Sequence, residues 1–191
     1  MFQCKVLSGQ WSAWALLFLF AAVAAGQTEY SGRGAGASLW VGGDYANFKA
    51  GFPIDSNTRL QGIGAFATYT RNHWLGFDAN VRFFNFGGWN GQTQQDYLLG
   101  PRYTFLHSDK YHPFASFEAG MVKIQYPFGM GTGTSFALAP GGGLDYHLNR
   151  KWSVRAAYQF QILTNSPDFT DEPKFGIRPN GFIGGVSYRI F

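Results

Sequence analysis

The chain has 191 residues, of which 46% are hydrophobic, 19% aromatic and only 14% charged, with 26 glycines and a formal net charge of +4. A mean hydropathy of −0.14 excludes a bundle of membrane helices, and so much aromatic side chain with so little charge is foreign to an ordinary soluble domain. The charge is too small and too scattered for a nucleic-acid-binding protein, whereas a membrane β-barrel fits, since half of each strand meets lipid and half a polar interior.

Lys5 provides a short basic region, Trp14 to Ala25 an apolar stretch of about 12 residues, and Ala22-Val23-Ala24 or Ala24-Ala25-Gly26 a small-residue cleavage site. The stretch is shorter than the roughly 20 residues of a spanning helix. Residues 1–26 therefore read as a secretory signal peptide and residues 27–191 as one barrel domain. Cys4, the single cysteine, lies upstream of the apolar run, so the mature chain is expected to carry no thiol, disulfide or lipid anchor.

Eight alternating segments follow. The first, Ala35 to Ala46, sets Leu39, Val41 and Tyr45 against Trp40, Gly42 and Asp44. The second, Gln61 to Thr70, sets Ile63, Ala65, Ala67 and Tyr69 against Gly64, Phe66 and Thr68. In the third, Leu75, Phe77, Ala79, Val81 and Phe83 oppose Gly76, Asp78, Asn80 and Arg82, a pattern no helix could gather onto one face. The fourth opposes Tyr97, Leu99, Pro101, Tyr103 and Phe105 to Asp96, Gly100, Arg102 and Thr104. The fifth opposes Ala115, Phe117, Ala119 and Met121 to Ser116, Glu118 and Gly120. The sixth places Phe136, Leu138, Pro140, Leu144 and Tyr146 outward and Ala137, Ala139, Asp145 and His147 inward. The seventh places Trp152, Val154, Ala156, Tyr158, Phe160 and Ile162 outward and Ser153, Arg155, Gln159 and Gln161 inward. In the last, Phe182, Gly184, Val186, Tyr188 and Ile190 alternate with Ile183, Gly185, Ser187 and Arg189 up to the final residue, Phe191.

Short links around Arg71-Asn72-His73, Leu106 to His112 and Asn149-Arg150-Lys151 alternate with four longer ones: Phe48 to Leu60, Asn85 to Gln95, Lys123 to Ser135 and Leu163 to Asn180. This is the layout of an up-and-down barrel with periplasmic turns and extracellular loops, and an even strand count puts both termini on the periplasmic side. Tyr103, Phe105, Tyr146, Trp152 and Tyr188 gather outward near that side, as an interfacial aromatic girdle does. Pro101 and Pro140 each forfeit a ladder hydrogen bond, so register is expected to be weakest there.

Arg178-Pro179-Asn180-Gly181 and Gly185-Val186-Ser187-Tyr188-Arg189 resemble the last strand of the OmpA-like eight-stranded transmembrane domain, and the layout of eight strands with four long loops covers the whole mature chain. The runs Tyr97 to Tyr103 and Gly141 to Tyr146 are similar to segments of the broader outer-membrane β-barrel family. The resemblance implies a small barrel in the outer membrane of a diderm bacterium, inserted by the assembly machinery that reads a C-terminal aromatic signal, here Tyr188, Ile190 and Phe191. Ile190 occupies the lipid-facing position where that family usually ends in Phe, and Phe191 sits one residue beyond. OmpA proper continues into a peptidoglycan-binding domain, whereas this sequence ends at Phe191, so wall anchoring is not carried over and barrel-only OmpX-like proteins are the nearer comparison.

Alternation points Asp44, Asp78, Asp96, Glu118 and Asp145 inward with Arg82, Arg102, Arg155 and Arg189, and His147 able to join either set. An eight-stranded barrel is just wide enough for side chains to fill it, so the expectation is a salt-bridge network that plugs the lumen, with Glu118 and Asp145 each beside an arginine. That pairing keeps the carboxylates ionised and argues against acid–base catalysis. No enzyme, cofactor or metal is expected. The Gly129 to Thr134 run lacks the following helix of a phosphate-binding loop and reads as a loop tip. His107 and His112 read as turn residues rather than metal ligands, and Gly141 to Gly143 as relief of crowding. The loops carry Phe48, Phe52, Phe86, Trp89, Tyr126, Phe128, Phe169 and Phe175, with Asp168, Asp171 and Glu172 in the last. Partners are therefore expected to be outer-membrane lipid, lipopolysaccharide and a surface partner met through the loops. The role expected is structural or surface-interactive. The alternative is a narrow channel or uptake barrel for small or apolar solutes, and a soluble lipocalin-like barrel ranks third because its apolar face would point inward.

Overall fold

A computed structural model describes residues 37–50, 59–71, 74–86, 91–106, 108, 110–125, 131–164 and 177–191. The stretch assigned to the signal peptide, the Gly129–Met130 tip, His107, and the aromatic and acidic loop residues from 51 to 58, 87 to 90, 126 to 130 and 165 to 176 lie outside these.

The described chain is all strand and short connections: β1 (Ser38–Lys49), β2 (Arg59–Thr70), β3 (Leu75–Phe86), β4 (Thr93–Thr104), β5 (Tyr111–Gln125), β6 (Thr132–His147), β7 (Trp152–Phe160), β8 (Ile162–Leu163) and β9 (Asn180–Arg189). Sequential neighbours pair antiparallel from β1 to β7, and β9 closes the ring by pairing with both β7 and β1. Every strand edge is thus matched, which removes the unpaired backbone groups that lipid would not tolerate.

β7 and β8 are two parts of one seventh strand. Gly141 pairs with Gln159 and Leu138 with Ile162 in unchanged register, so the break at Gln161 is local. Pro140 lies on the facing stretch of β6 and has no N–H to give, and the ladder lapses opposite it. The β4–β5 ladder lapses in the same way at Pro101, between Leu99↔Ala119 and Arg102↔Ser116. Both prolines weaken pairing without shifting it, and the barrel remains eight-stranded.

Following paired residues around the ring from Ser38 leads through Thr70, Gly76, Arg102, Ser116, Gly141, Gln159 and Gly181 back to β1 at Phe48, ten residues further along. This stagger is the shear of the barrel, the quantity that tilts the strands and sets which side chains share a level in the lumen.

Outward positions are apolar and exposed, including Leu99, Met121, Ile63, Phe77 and Phe182, as a lipid-facing surface requires. At the end where the short turns lie, aromatic rings touch in a belt: Trp74 with Tyr103, Tyr103 with Phe105, Tyr111 with Tyr146, and Trp152 with Tyr188. At the loop end Phe83 meets Tyr97, and Tyr158 meets Phe182. The strands are longer than alternation in the sequence suggests. Phe48 and Leu60, read as loop residues, are buried strand residues, and Phe86 ends β3 with its side chain exposed.

Candidate functional site

The lumen is layered. At the turn end a polar recess of about 90 Å³ is bounded by hydroxyl groups such as those of Ser38, Thr70, Ser153 and Ser187, with Trp40, His112 and His147. His147 stacks between two rings, 4.6 Å from Trp40 and 4.1 Å from His112 by centroid. It joins neither set of charges; aromatic packing holds it.

Above the recess two arginines share two aspartates. Arg155 Nε donates to Asp145 Oδ1 at 2.8 Å, Arg102 Nη2 donates to Asp145 Oδ2, and Arg102 Nη1 and Arg155 Nη1 lie 3.3 and 3.6 Å from Asp78 Oδ2. Thr68 Oγ1 completes the set, donating to Asp78 Oδ1 at 2.6 Å and accepting from Arg155 Nη2 at 2.8 Å. The guanidinium faces are covered by aromatic rings, Arg102 lying 3.6 Å from the Phe114 centroid and Arg155 4.1 Å from Phe66. Stacking of this kind suits a cation stripped of water.

The next level has a different chemistry. Arg82 Nε donates to Asp44 Oδ2 at 3.0 Å and Arg82 Nη1 to Gln159 Oε1 at 2.7 Å. Gly64 lies between Asp44 and Arg82 in the ladder. A β-carbon there would sit 2.5 Å from Arg82 Cγ and 2.6 Å from Asp44 Oδ1, so glycine is what lets the arginine reach across β2. Glu118 receives Gln159 Nε2 at 2.8 Å and also the Asn80 amide. Asp96, fully buried, receives Gln94 Nε2 at 2.8 Å and Gln161 Nε2 at 2.6 Å.

Glu118, expected beside an arginine, forms no ion pair with one among the described residues; amides hold Glu118 and Asp96, and Arg82 reaches Glu118 through Gln159. Arg189 also departs from expectation. It is exposed at the turn-end mouth, where its Nε donates to the Phe191 carbonyl at 3.0 Å: still paired with Trp40 in the ladder, it lies at the rim, where an inward position remains wet. Among the described residues the buried ionisable side chains are thus five carboxylic and three guanidinium groups.

The loop-end third of the lumen holds two apolar clusters, with Gln94 buried between Phe84 and Ile124 on the ladder. Phe48, Phe84, Leu60 and Ala46 pack with Ile183 on one side, and Val122, Ile124, Leu163, Ala137 and Ile177 on the other. Extending the β1 alternation two steps, from Asp44 through Ala46 to Phe48, would have found this layer. The amide partners Asn80, Gln159 and Gln161 already stood at inward positions; what the sequence did not show was that they serve the carboxylates. At the seam, Ile190 N–H donates to the Leu39 carbonyl at 2.8 Å, and Leu39 N–H to Phe191 at 3.3 Å, so the last two residues extend the β9–β1 ladder while Tyr188 packs on Trp152.

A closed antiparallel ring with an apolar exterior, aromatic belts and a polar, charged interior defines a transmembrane β-barrel of the outer membrane. A family model described as outer membrane protein beta-barrel domain matches residues 12–189, and the chain belongs to that family. Among solved structures it is similar to Neisserial surface protein A at 17% identity, with 80% of this chain and 98% of that one covered and a TM-score of 0.63. The N-terminal barrel domain of Pseudomonas aeruginosa OprF matches at 12% identity over 83% of this chain and 100% of that one, TM-score 0.57. OprG of the same organism matches at 12% identity over 81% and 96%, TM-score 0.57. These likenesses are of fold. No curated protein sequence matches.

Proposed function

We propose that this outer-membrane barrel is a closed scaffold with a structural or surface-interactive role and no catalytic activity. The observation that supports this reading is the burial of side chains along the lumen: the ion-paired Asp78–Arg102–Asp145–Arg155 cluster in the turn-end half, and Phe48, Phe84, Leu60 and Leu163 in the loop-end third. The cavity beside Glu118 and Arg155 measures about 20 Å³, room for about one water. A continuous ion path through these layers would have to break several buried ion pairs and pass between the apolar clusters around Phe84 and Leu163.

In this reading residues 1–26 are the exported signal and Tyr188, Ile190 and Phe191 the signal read by the assembly machinery. The turn end faces the periplasm, and the loop end faces outward, toward lipopolysaccharide and a surface partner. Single-channel recording of the refolded full chain in a planar bilayer tests the closure. Absence of discrete conductance steps is the expected result, and steady current through the intact protein would replace the scaffold by the narrow-channel alternative.

A further inference from the structure

We propose that the outer face of β1 and its neighbours is a seat for one phosphorylated, multiply acylated lipid of the outer leaflet, an inference that rests on the outward orientation of the loop end. Two apolar troughs cut into the lipid-facing surface on either side of β1. One, of about 480 Å³, has a floor of Gly142, Ala156 and Gly184 and walls formed by Tyr45, Tyr158 and Phe182. The other, of about 530 Å³, runs over Ala65, Ala67 and Ala79 between Val41, Leu99 and Met121. Tyr45 and Ile63, cross-strand partners that both point outward, form the ridge between them.

Gly184 is the informative residue. A β-carbon built on it meets nothing within 4 Å, and its φ is not in the left-handed region, so neither packing nor backbone demands glycine there. Its effect is to keep the trough open. A second copy of the barrel is a poor occupant, because two concave faces brought together by a twofold axis leave a void. A flexible hydrocarbon chain fills a furrow of this shape.

The headgroup is specified by charge. Two outward positions beyond Tyr45 and Ile63, Lys49 and Arg59 stand directly opposite each other at the loop end, both exposed and with no ion pair among the described residues. Below them Tyr45 Oη donates to Gln61 Oε1 at 2.8 Å and Tyr158 Oη to Asn180 Oδ1 at 2.7 Å, a polar collar at the depth where a glycolipid's amide or ester groups lie. On the far edge of the second trough Lys123 follows Met121 on the outward face of β5, repeating the order of cation above groove. A basic pair over two chain-sized furrows matches a lipid bearing phosphate and several acyl chains; a zwitterionic two-chain lipid leaves the cations unmatched.

Native mass spectrometry of the refolded full chain with purified lipid A, dephosphorylated lipid A or phosphatidylethanolamine tests this. Wild type is expected to retain one lipid A and to prefer it over both other lipids. The Lys49→Gln/Arg59→Gln variant should lower lipid A affinity by about 30-fold, as expected for removing two basic residues at an anionic surface. Gly184→Leu should keep the preference for phosphate and weaken retention by about tenfold through lost chain burial, with Ala156→Leu as a second filling variant should the first fail to fold. Equal retention of all three lipids by wild type, unchanged retention in both filled variants, or a lipid-free dimer would overturn the proposal. A conducting protein that still retains lipid A would refute the plug and leave the lipid seat standing.

Discussion

Arg82 and Asp96 are direct cross-strand partners on β3 and β4, yet they do not form an ion pair. Arg82 turns away across Gly64 to Asp44, and Asp96 takes its hydrogen bonds from Gln94 and Gln161. The stagger of the barrel explains why adjacency in the ladder does not decide pairing: side chains lean across the lumen, and those sharing a level come from strands far apart in sequence. Removing one partner of a buried pair leaves the other charge uncompensated, so Asp44→Asn should destabilise by about 3–5 kcal/mol. Asp96→Asn, which strands no arginine, should cost clearly less. Urea unfolding of the refolded variants measures both, and equal losses would show that Arg82 serves Asp96 as well.

Gly64 offers an independent check on the same pair. Alanine there collides with both Arg82 Cγ and Asp44 Oδ1, and overpacking of this kind costs about 1–3 kcal/mol. In the Asp44→Asn background much of that loss should already be present, so the two substitutions should be sub-additive in a double-mutant cycle. Full additivity would mean that the glycine serves the backbone instead.

How much of this was legible beforehand depends on which link is considered. Strict alternation in Leu75 to Phe83 and in Trp152 to Phe160 gave the facing of almost every side chain, since a barrel in lipid allows little deviation from period two. The inward positions of Asp78, Arg102, Asp145 and Arg155 were legible for the same reason. Their pairing was not, because it depends on the shear, a property of the closed ring that no single strand encodes. Phe48 and Leu60 were misplaced because the Gly- and Pro-containing stretch after Ala50 reads as loop, and long loops draw strand ends into themselves when periodicity is judged locally. Arg189 was misread because parity reports facing and not depth: at the mouth of a barrel an inward residue is still wet.

The lipid-facing surface should show a depth profile. Leu99 lies in the middle of β4 and Phe86 at the loop end of β3, and both are more than half exposed to the surroundings. Leu99→Arg is expected to cost about 2–4 kcal/mol and Phe86→Arg about 0–1 kcal/mol, as depth in the bilayer dictates. Reversible unfolding in phospholipid vesicles gives the two values. Similar costs at both positions would mean that the bilayer does not span the barrel at the height assigned to it.

The loop end can be tested without touching the ladder. β5 and β6 remain in register to their last residues, Gln125 facing Thr132, so replacing residues 126–131 by a two-residue Asn-Gly turn should close the hairpin without strain. The trimmed protein should keep the shift in gel mobility between unboiled and boiled samples that a closed barrel gives. Its conductance should stay at the level of the intact protein if, as proposed, the lumen is stopped within the strands, where Phe84, Ile124 and Leu163 are buried. A loss of surface binding on trimming, with conductance still absent, places recognition in the loops. Opening of a current on trimming would instead assign these loops the role of a gate and overturn the closed-scaffold reading.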